Sequence, residues 1–321
     1  MSTALLNIPQ NSFARLAPLS RIRVSGNDRQ RFLHNFCTNE VKLLPSGEAV
    51  EAFFVDVRSR VLAHGWILAG DQNHEIWSIP GNEAALLKHL QKYVITEDVS
   101  FESLSESSVS FAIFSDDVAS PLSLPVDSWP RQNCHHRTLP LPGSPNSPVV
   151  HVLKIVWAGV NILICSVNKD HAALFAKSLT SAGFSETNDL SFRQLRLAER
   201  WPVVGMDITD DHLAPEADRN SSAISYRKGC YLGQEPIARL DAMGHVNKSI
   251  RTLIVSGPAS LLAGAQVQRE GTGILGTVSS VEPLGDSLAL VMGMIRTHGI
   301  NLAAGLSVVD QNGNTLQASL P

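Results

Sequence analysis

Only four cysteines occur in 321 residues, at Cys37, Cys134, Cys165 and Cys230, and no two of them stand in Cys-x-x-Cys spacing. Such scatter excludes a zinc ribbon and supplies no disulfide framework for a chain of this size, so a reducing, cytoplasmic setting is expected. Long apolar runs are missing too: the stretch 287–295 is strand-sized, well short of the roughly 18 residues a membrane span needs. A soluble protein without membrane contact is expected. Positive charge is in short supply, with 26 Lys and Arg against 30 Asp and Glu and a formal net charge of −4. That balance gives no general attraction to polyphosphate, so direct nucleic-acid binding is not expected. Before Asp28 there is no acidic residue, and Ser and Arg occur, but the leader lacks the apolar core of a secretory signal. An ordinary N-terminus is the expectation.

What is present begins with 44% apolar residues, enough for two or three packed units in a chain of this length. The densest chemistry lies in Arg227-Lys228-Gly229-Cys230-Tyr231-Leu232-Gly233-Gln234-Glu235, where a thiol, two cations, two glycines and an amide-carboxylate pair fall within nine residues. Gly229 and Gly233 permit positive φ or a close backbone approach, and Arg227 and Lys228 favour a thiolate at Cys230 if their charges face it. A reactive or ligating sulfur in a turn is one reading; a small buried hydrophobe is the other.

The stretch Lys228-Gly229-Cys230-Tyr231-x-Gly233-Gln234-Glu235 resembles the signature of the YgfZ-type folate-binding proteins, relatives of the glycine-cleavage T-protein that act in iron–sulfur cluster maintenance. The resemblance continues through Ala238-Arg239 and Gly244, and upstream through Asp207 and Pro215-Glu216. It reaches the N-terminal part in the stretch from Arg21 to Asp28, in Phe32-Leu33 and in Thr38-Asn39-Glu40-Val41, and is weakest between about 102 and 148. It implies an α+β fold whose folate-binding body is followed by a small C-terminal β-barrel.

The residues read unaided agree with that outline. Asn27 caps a predicted helix with Phe32, Leu33 and Phe36 on one face. Strands are expected at 52–56 and 61–68 around the turn Arg58-Ser59-Arg60, then at 75–79, before a helix capped by Asn82 and carrying Leu86, Leu87 and Leu90. Strands at 149–156 and 161–167 and a helix over 169–182 closed by Gly183 repeat the strand-strand-helix order. A duplicated α+β unit with a cleft between its halves follows.

The halves are joined by a Ser/Pro-rich connection over about 102–148, broken by Pro121, Pro125, Pro130, Pro140, Pro142, Pro145 and Pro148 and holding one strand at 109–114. Cys134-His135-His136 sits in that connection; neighbours in extended chain point opposite ways and no partner ligand is near, so no metal site is assigned. From about Lys248 short strands alternate with turns such as Gly285-Asp286 and Asn312-Gly313-Asn314, a small barrel or sandwich. The domains are expected at 1–246 and 247–321.

A reduced folate needs a carboxylate or amide for its pterin edge, an apolar wall and a cation for its anionic tail. Asn39 and Asp56, at the ends of predicted elements, are placed to reach a central cleft, though Asn39 serves equally as a turn residue. The resemblance implies a pterin-reading Glu two residues before the position aligned with Arg200; this chain has Ala198 there and Glu199 beside it. Tyr231 can stack on a ring or fill a core, and Arg239 and Lys248 can meet the tail or pair between domains.

The candidate set for tetrahydrofolate or another reduced folate is Asn39, Asp56, Glu199, Tyr231, Gln234, Glu235 and Arg239, with Cys230 as the functional thiol. The function implied is an accessory role in iron–sulfur cluster assembly or repair, with cluster proteins as partners and an indirect effect on tRNA modification. A folate-dependent aminomethyl- or methyltransferase, and a folate-binding module without chemistry, are the alternatives.

Overall fold

Strands with apolar residues on one or both faces dominate the chain, and the computed structural model gathers them into two open sheets and a closed barrel. The structure describes residues 6–79, 83–115, 134–141, 148–303 and 305–321. The first half comprises β1 (Ser12–Arg15), β2 (Ser20–Ser25), α1 (Arg29–Phe36), β3 (Ala49–Val55), β4 (Val61–Ala69), β5 (Asn73–Ser78), α2 (Glu83–Gln91) and β6 (Ser100–Ser103). The second comprises β7 (Ser108–Phe114), β8 (His135–Pro140), β9 (Val149–Trp157), β10 (Val160–Asn168), α3 (Ala172–Ser181) and β11 (Ser185–Thr187). Then follow α4 (Leu190–Ala198), the single turn α5 (Asn220–Ala223) and α6 (Gln234–Met243).

The duplication is visible in the strand order. One sheet runs β3-β4-β5-β2-β6 and the other β8-β9-β10-β7-β1-β11, so the second repeats the first with β1 wedged between β7 and β11. Because β1 lies antiparallel to β7, β11 pairs with it in parallel, whereas β6 pairs antiparallel with β2. The two sheets face each other: Phe53, Trp66, Leu68 and Trp77 of one share a core with Ala112, Phe114, Ile155 and Ile164 of the other. Helices cover the outer faces, with Leu33, Leu86 and Leu90 packed on Ile22, Ile67 and Ile76, and Phe175 and Leu179 packed on Phe111, Leu163 and Cys165.

Strands β12 (Lys248–Ser256), β13 (Gln266–Arg269), β14 (Gly273–Pro283), β15 (Leu288–Arg296), β16 (Leu306–Val309) and β17 (Thr315–Ser319) close the barrel by pairing β17 with β12. The barrel docks on α4. Arg196 Nη2 donates to Ser280 Oγ at 2.8 Å, Gln194 Nε2 to the Pro283 carbonyl at 2.5 Å, and Thr252 Oγ1 to the Leu197 carbonyl at 2.6 Å. No helix among the described residues is long and apolar enough to cross a membrane.

Three local expectations change. Helix α1 starts after Asp28, not Asn27, because the Asn27 and Asp28 backbone N–H groups and the Asp28 carboxylate are drawn into a clasp with Asp98. Residues 135–140 of the expected connection form β8, an edge strand with His135 opposite Lys154 and Pro140 opposite Val149. Its Pro sits at the strand end, where a missing N–H breaks no central ladder. The Asn82 cap, and Pro121, Pro125, Pro130, Pro142 and Pro145, lie outside the described residues.

Where β8 and β9 meet the other sheet, His74, His136 and His151 hold imidazoles whose pKa is lowered, first of all by burial, to about 4 at His151. In the unfolded chain these rings titrate near 6.5, so the unfolded state binds more protons between that pH and about 4. The expected result is full stability above pH 6.5 and a progressive fall toward pH 4. Urea midpoints measured across that range should flatten in His151→Gln; an unchanged slope would remove His151 from the account.

Candidate functional site

The apolar strand β3 carries one acidic side chain, Glu51, and its pairing with β4 sets Glu51 opposite Trp66 on the inner face. The chain leaving α4 brings Glu199 and Trp201 to the same place, β9 brings Trp157, and the residue before α5 is Arg219. Together with Cys134 they line a crevice of about 220 Å³ between the two halves. The indoles form its wall: Trp66 stacks on Trp201 with centroids 4.1 Å apart at 22°, and Trp157 lies 5.3 Å from Trp201. His64 extends the stack 4.1 Å from Trp201.

Arg219 organises the charges. Its Nε donates to Glu51 Oε1 at 2.8 Å and its Nη2 to Oε2 at 2.6 Å, while Nη1 donates to the Glu199 carbonyl at 2.6 Å and to Glu199 Oε1 at 3.0 Å. His64 Nε2 lies 2.8 Å from Glu51 Oε1, and the Ala158 backbone N–H donates to Glu199 Oε2 at 3.0 Å. Burial alone would raise the Glu51 carboxyl, but the hydrogen bonds from Arg219 and His64 outweigh it and hold the pKa below the usual carboxylate value. Burial, seconded by the Glu51 charge, pushes the Cys134 thiol up to about 12. Glu51 Oε2 and both Glu199 oxygens carry one of these bonds each, so each keeps a lone pair for a further donor. Trp201 Nε1 is buried and has no hydrogen-bond partner among the described residues.

Backbone strain gathers at the same place. Among the described residues six non-glycines adopt positive φ, and four of them belong here: Cys134 lines the crevice, Ala158 donates to Glu199, Arg200 joins Glu199 to Trp201, and Asp218 precedes Arg219. Left-handed backbone costs an L-residue about 1–2 kcal/mol, and such residues cluster where geometry serves function.

The segment 227–235 builds a second cluster at the end of α1 and the β3–β4 turn. Lys228 turns away from Cys230: its ammonium donates to the carbonyls of His34 at 2.5 Å, Cys37 at 2.8 Å and Asn39 at 2.7 Å, capping the C-terminal end of α1. Burial lowers its pKa. Gly233 has φ +76°, and a Cβ there would stand 2.3 Å from the Asp56 carbonyl oxygen. Ser59 Oγ donates to the Gly233 carbonyl, which fastens the segment to the turn. Cys230 is exposed, unlike buried Cys37 and Cys165.

Of the predicted residues, only Glu199 stands in the crevice. Asn39 donates through Nδ2 to the carbonyls of Glu51 and Ser222, at 2.8 Å each, and so joins the two clusters. Asp56 Oδ1 accepts from the backbone N–H groups of Arg58 and Arg60 and shapes the β3–β4 turn. Tyr231 is buried beneath the Lys228 ammonium, 4.8 Å from its ring centre. Gln234 and Glu235 open α6, and Arg239 is exposed further along it. Glu51, His64, Trp66, Trp157, Trp201 and Arg219 were missed. The available signal was a charge and a histidine set within the apolar runs of β3 and β4; nothing near Arg219 in the sequence marks it.

No family model matches the chain. The Arabidopsis thaliana protein named "Putative transferase At1g60990, chloroplastic" is 28% identical over 251 residues, 76% of this chain and 56% of that protein, so the chain spans little more than half the length of this curated relative. Heterotetrameric sarcosine oxidase from Corynebacterium sp. U-96 covers 56% of this chain and 87% of its own at a TM-score of 0.39 and 17% identity. The glycine cleavage system aminomethyltransferase T from Bartonella henselae superposes with a TM-score of 0.78 at 16% identity, over 96% of this chain and 84% of its own. The chain therefore shares the fold of aminomethyltransferase T: a duplicated α+β body with a closed C-terminal barrel.

Proposed function

We propose that the chain binds a reduced folate, tetrahydrofolate or a close relative, by its pterin end in the crevice, and that it supports iron–sulfur cluster assembly or repair through the exposed Cys230 thiol. Effects on tRNA modification are then indirect, through cluster-containing enzymes. The observation that carries the folate reading is the pair Glu51 and Glu199, both bound by Arg219 beside three indoles, with acceptor capacity to spare and, among the described residues, no partner for the Trp201 Nε1 donor. A pterin edge presents donors to a carboxylate and an acceptor to an N–H, and its ring face suits an aromatic wall. At about 220 Å³ the crevice is smaller than the ~300–1,000 Å³ usual for whole ligands, so the glutamate tail stays outside. Asn39, Asp56, Tyr231, Gln234, Glu235 and Arg239 belong to the same reading as contacts beyond the ring. Residues 1–246 form the ligand-binding body in it, and 247–321 the accessory barrel.

A folate-dependent aminomethyl- or methyltransferase is the second reading, favoured by the fold shared with aminomethyltransferase T and by the name of the Arabidopsis relative. Against it, the hydrogen bonds from Arg219 and His64 hold the Glu51 carboxyl below the usual carboxylate pKa, which weakens it as a general base.

Calorimetric titration of the reduced protein with tetrahydrofolate tests the binding. Saturable one-site binding at micromolar strength, about −8 kcal/mol, is expected, and it should weaken in Trp201→Phe, which keeps the wall and loses the donor. Absence of binding would overturn the folate reading. Cys230→Ala should keep folate affinity while failing to restore cluster-enzyme activity in cells lacking the wild-type chain; full restoration would remove the thiol from the function.

A further inference from the structure

A second cavity, of about 400 Å³, lies between α4 and β14 and is lined by none of the crevice residues. Its walls are apolar, formed by Leu16, Leu19, Phe192, Val203 and Val281, with Met206 half exposed at the edge. The charged groups come from both walls, Asp189, Arg193 and Arg196 with α4 and Glu282 with β14. Arg196 is taken by Asp207 at 2.7 Å, so Arg193 alone serves two carboxylates, Asp189 and Glu282. Three carboxylates thus stand against two guanidinium groups, and one negative charge is left over. Glu282 is buried on β14 and accepts from Arg193 Nε at 2.9 Å through Oε1. Burial pushes its carboxyl pKa up despite that partner.

We propose that this cavity is a second binding site, for a small amphiphilic amine whose apolar body lies among Phe192, Val203 and Val281 and whose ammonium pairs with Glu282. The volume falls within the ~300–1,000 Å³ of small-molecule sites, and the apolar wall with few convergent polar groups is their usual composition. An ammonium supplies the missing charge and a charge-assisted hydrogen bond in a poorly hydrated place, where such a bond is strongest. An anion would have to displace Asp189, Glu282 or Asp207 from Arg193 and Arg196, and a neutral ligand would leave the excess charge as it was. The inference stands independently of the folate reading.

Three probes of equal length test it by calorimetry at pH 7.5: 4-phenylbutylamine, 4-phenylbutanol and 4-phenylbutyrate. The amine should bind saturably, at least about tenfold more tightly than the alcohol, and the carboxylate should not bind. Glu282→Gln should remove the preference for the amine while leaving the alcohol unaffected. Ala263→Trp, at the rim of the cavity, should abolish both, with an unchanged melting temperature showing that the fold is intact. Equal affinities for amine and alcohol, amine binding that survives both substitutions, or no binding of the amine by the wild-type protein would each overturn the proposal.

Discussion

Arg219→Met should lower the stability of the protein by about 3–5 kcal/mol at neutral pH, the cost of leaving a buried carboxylate without its counter-charge. The substitution keeps the length of the alkyl stem but removes both hydrogen bonds to Glu51, which is 5% exposed, and both to Glu199. The sign of the pH dependence follows. In the wild type the Glu51 pKa is held below its ordinary 4.5, so its contribution is present above that pH and lost as pH falls through the folded value. Without Arg219 the carboxyl rises and protonates more readily, so the deficit should be largest near pH 7 and shrink in acid. Urea unfolding at several pH values checks this. The double variant Glu51→Gln with Arg219→Met should be more stable than Arg219→Met alone, because the uncompensated charge has gone. If the two losses simply added, the coupling assigned to the pair would be wrong. Tetrahydrofolate binding, on the folate reading, should be lost in Arg219→Met.

Lys228→Met comes next in size, at about 3 kcal/mol, since a buried group deprived of a charged hydrogen-bond partner costs more than a neutral bond returns. Its ammonium satisfies three carbonyls at the end of α1, and no other cation among the described residues reaches them. The loss should be local first: amide hydrogens of the last turn of α1 should exchange faster, and Cys230, two residues away, should react with thiol reagents at an altered rate as its segment loosens. Wild-type stability and exchange in this variant would show that water takes over the carbonyls at no cost, and would return Lys228 to a role at the thiol.

Much of the fold was legible because its segments obey local rules. Strands β3, β4, β9 and β10, the strand near 109–114 and the barrel hairpins alternate or run apolar between turn residues, and each lies within a residue or three of its expected place. Strand β8 was not legible, since a segment with two histidines and a proline becomes a strand only when β9 and the turn at Gly47 offer it partners. The site was read one-sidedly for the same reason. A nine-residue motif announces itself, whereas Glu51 and Arg219 are 168 residues apart and acquire meaning only by meeting. The motif itself misled in one respect: Lys228 lies two residues from the thiol in sequence, yet it turns into the end of α1. Chain proximity does not determine which way a long side chain turns.

The wedge formed by β1 bears on how the molecule is assembled. The second half cannot complete its own sheet, because the slot between β7 and β11 is filled by Ser12–Arg15, the first strand of the first half. That sheet must wait for a strand made more than 90 residues before β7 to find it, with β11 joining only once Thr187 has left the ribosome. Long-range closure of this kind is slow, and until it happens β7 and β11 present unpaired edges to any extended chain nearby. Cutting the chain between β6 and β7 would therefore yield a C-terminal piece with a vacant strand position and an N-terminal piece carrying its plug. Each would be prone to aggregate alone, and mixing them should restore the sheet by strand donation in trans.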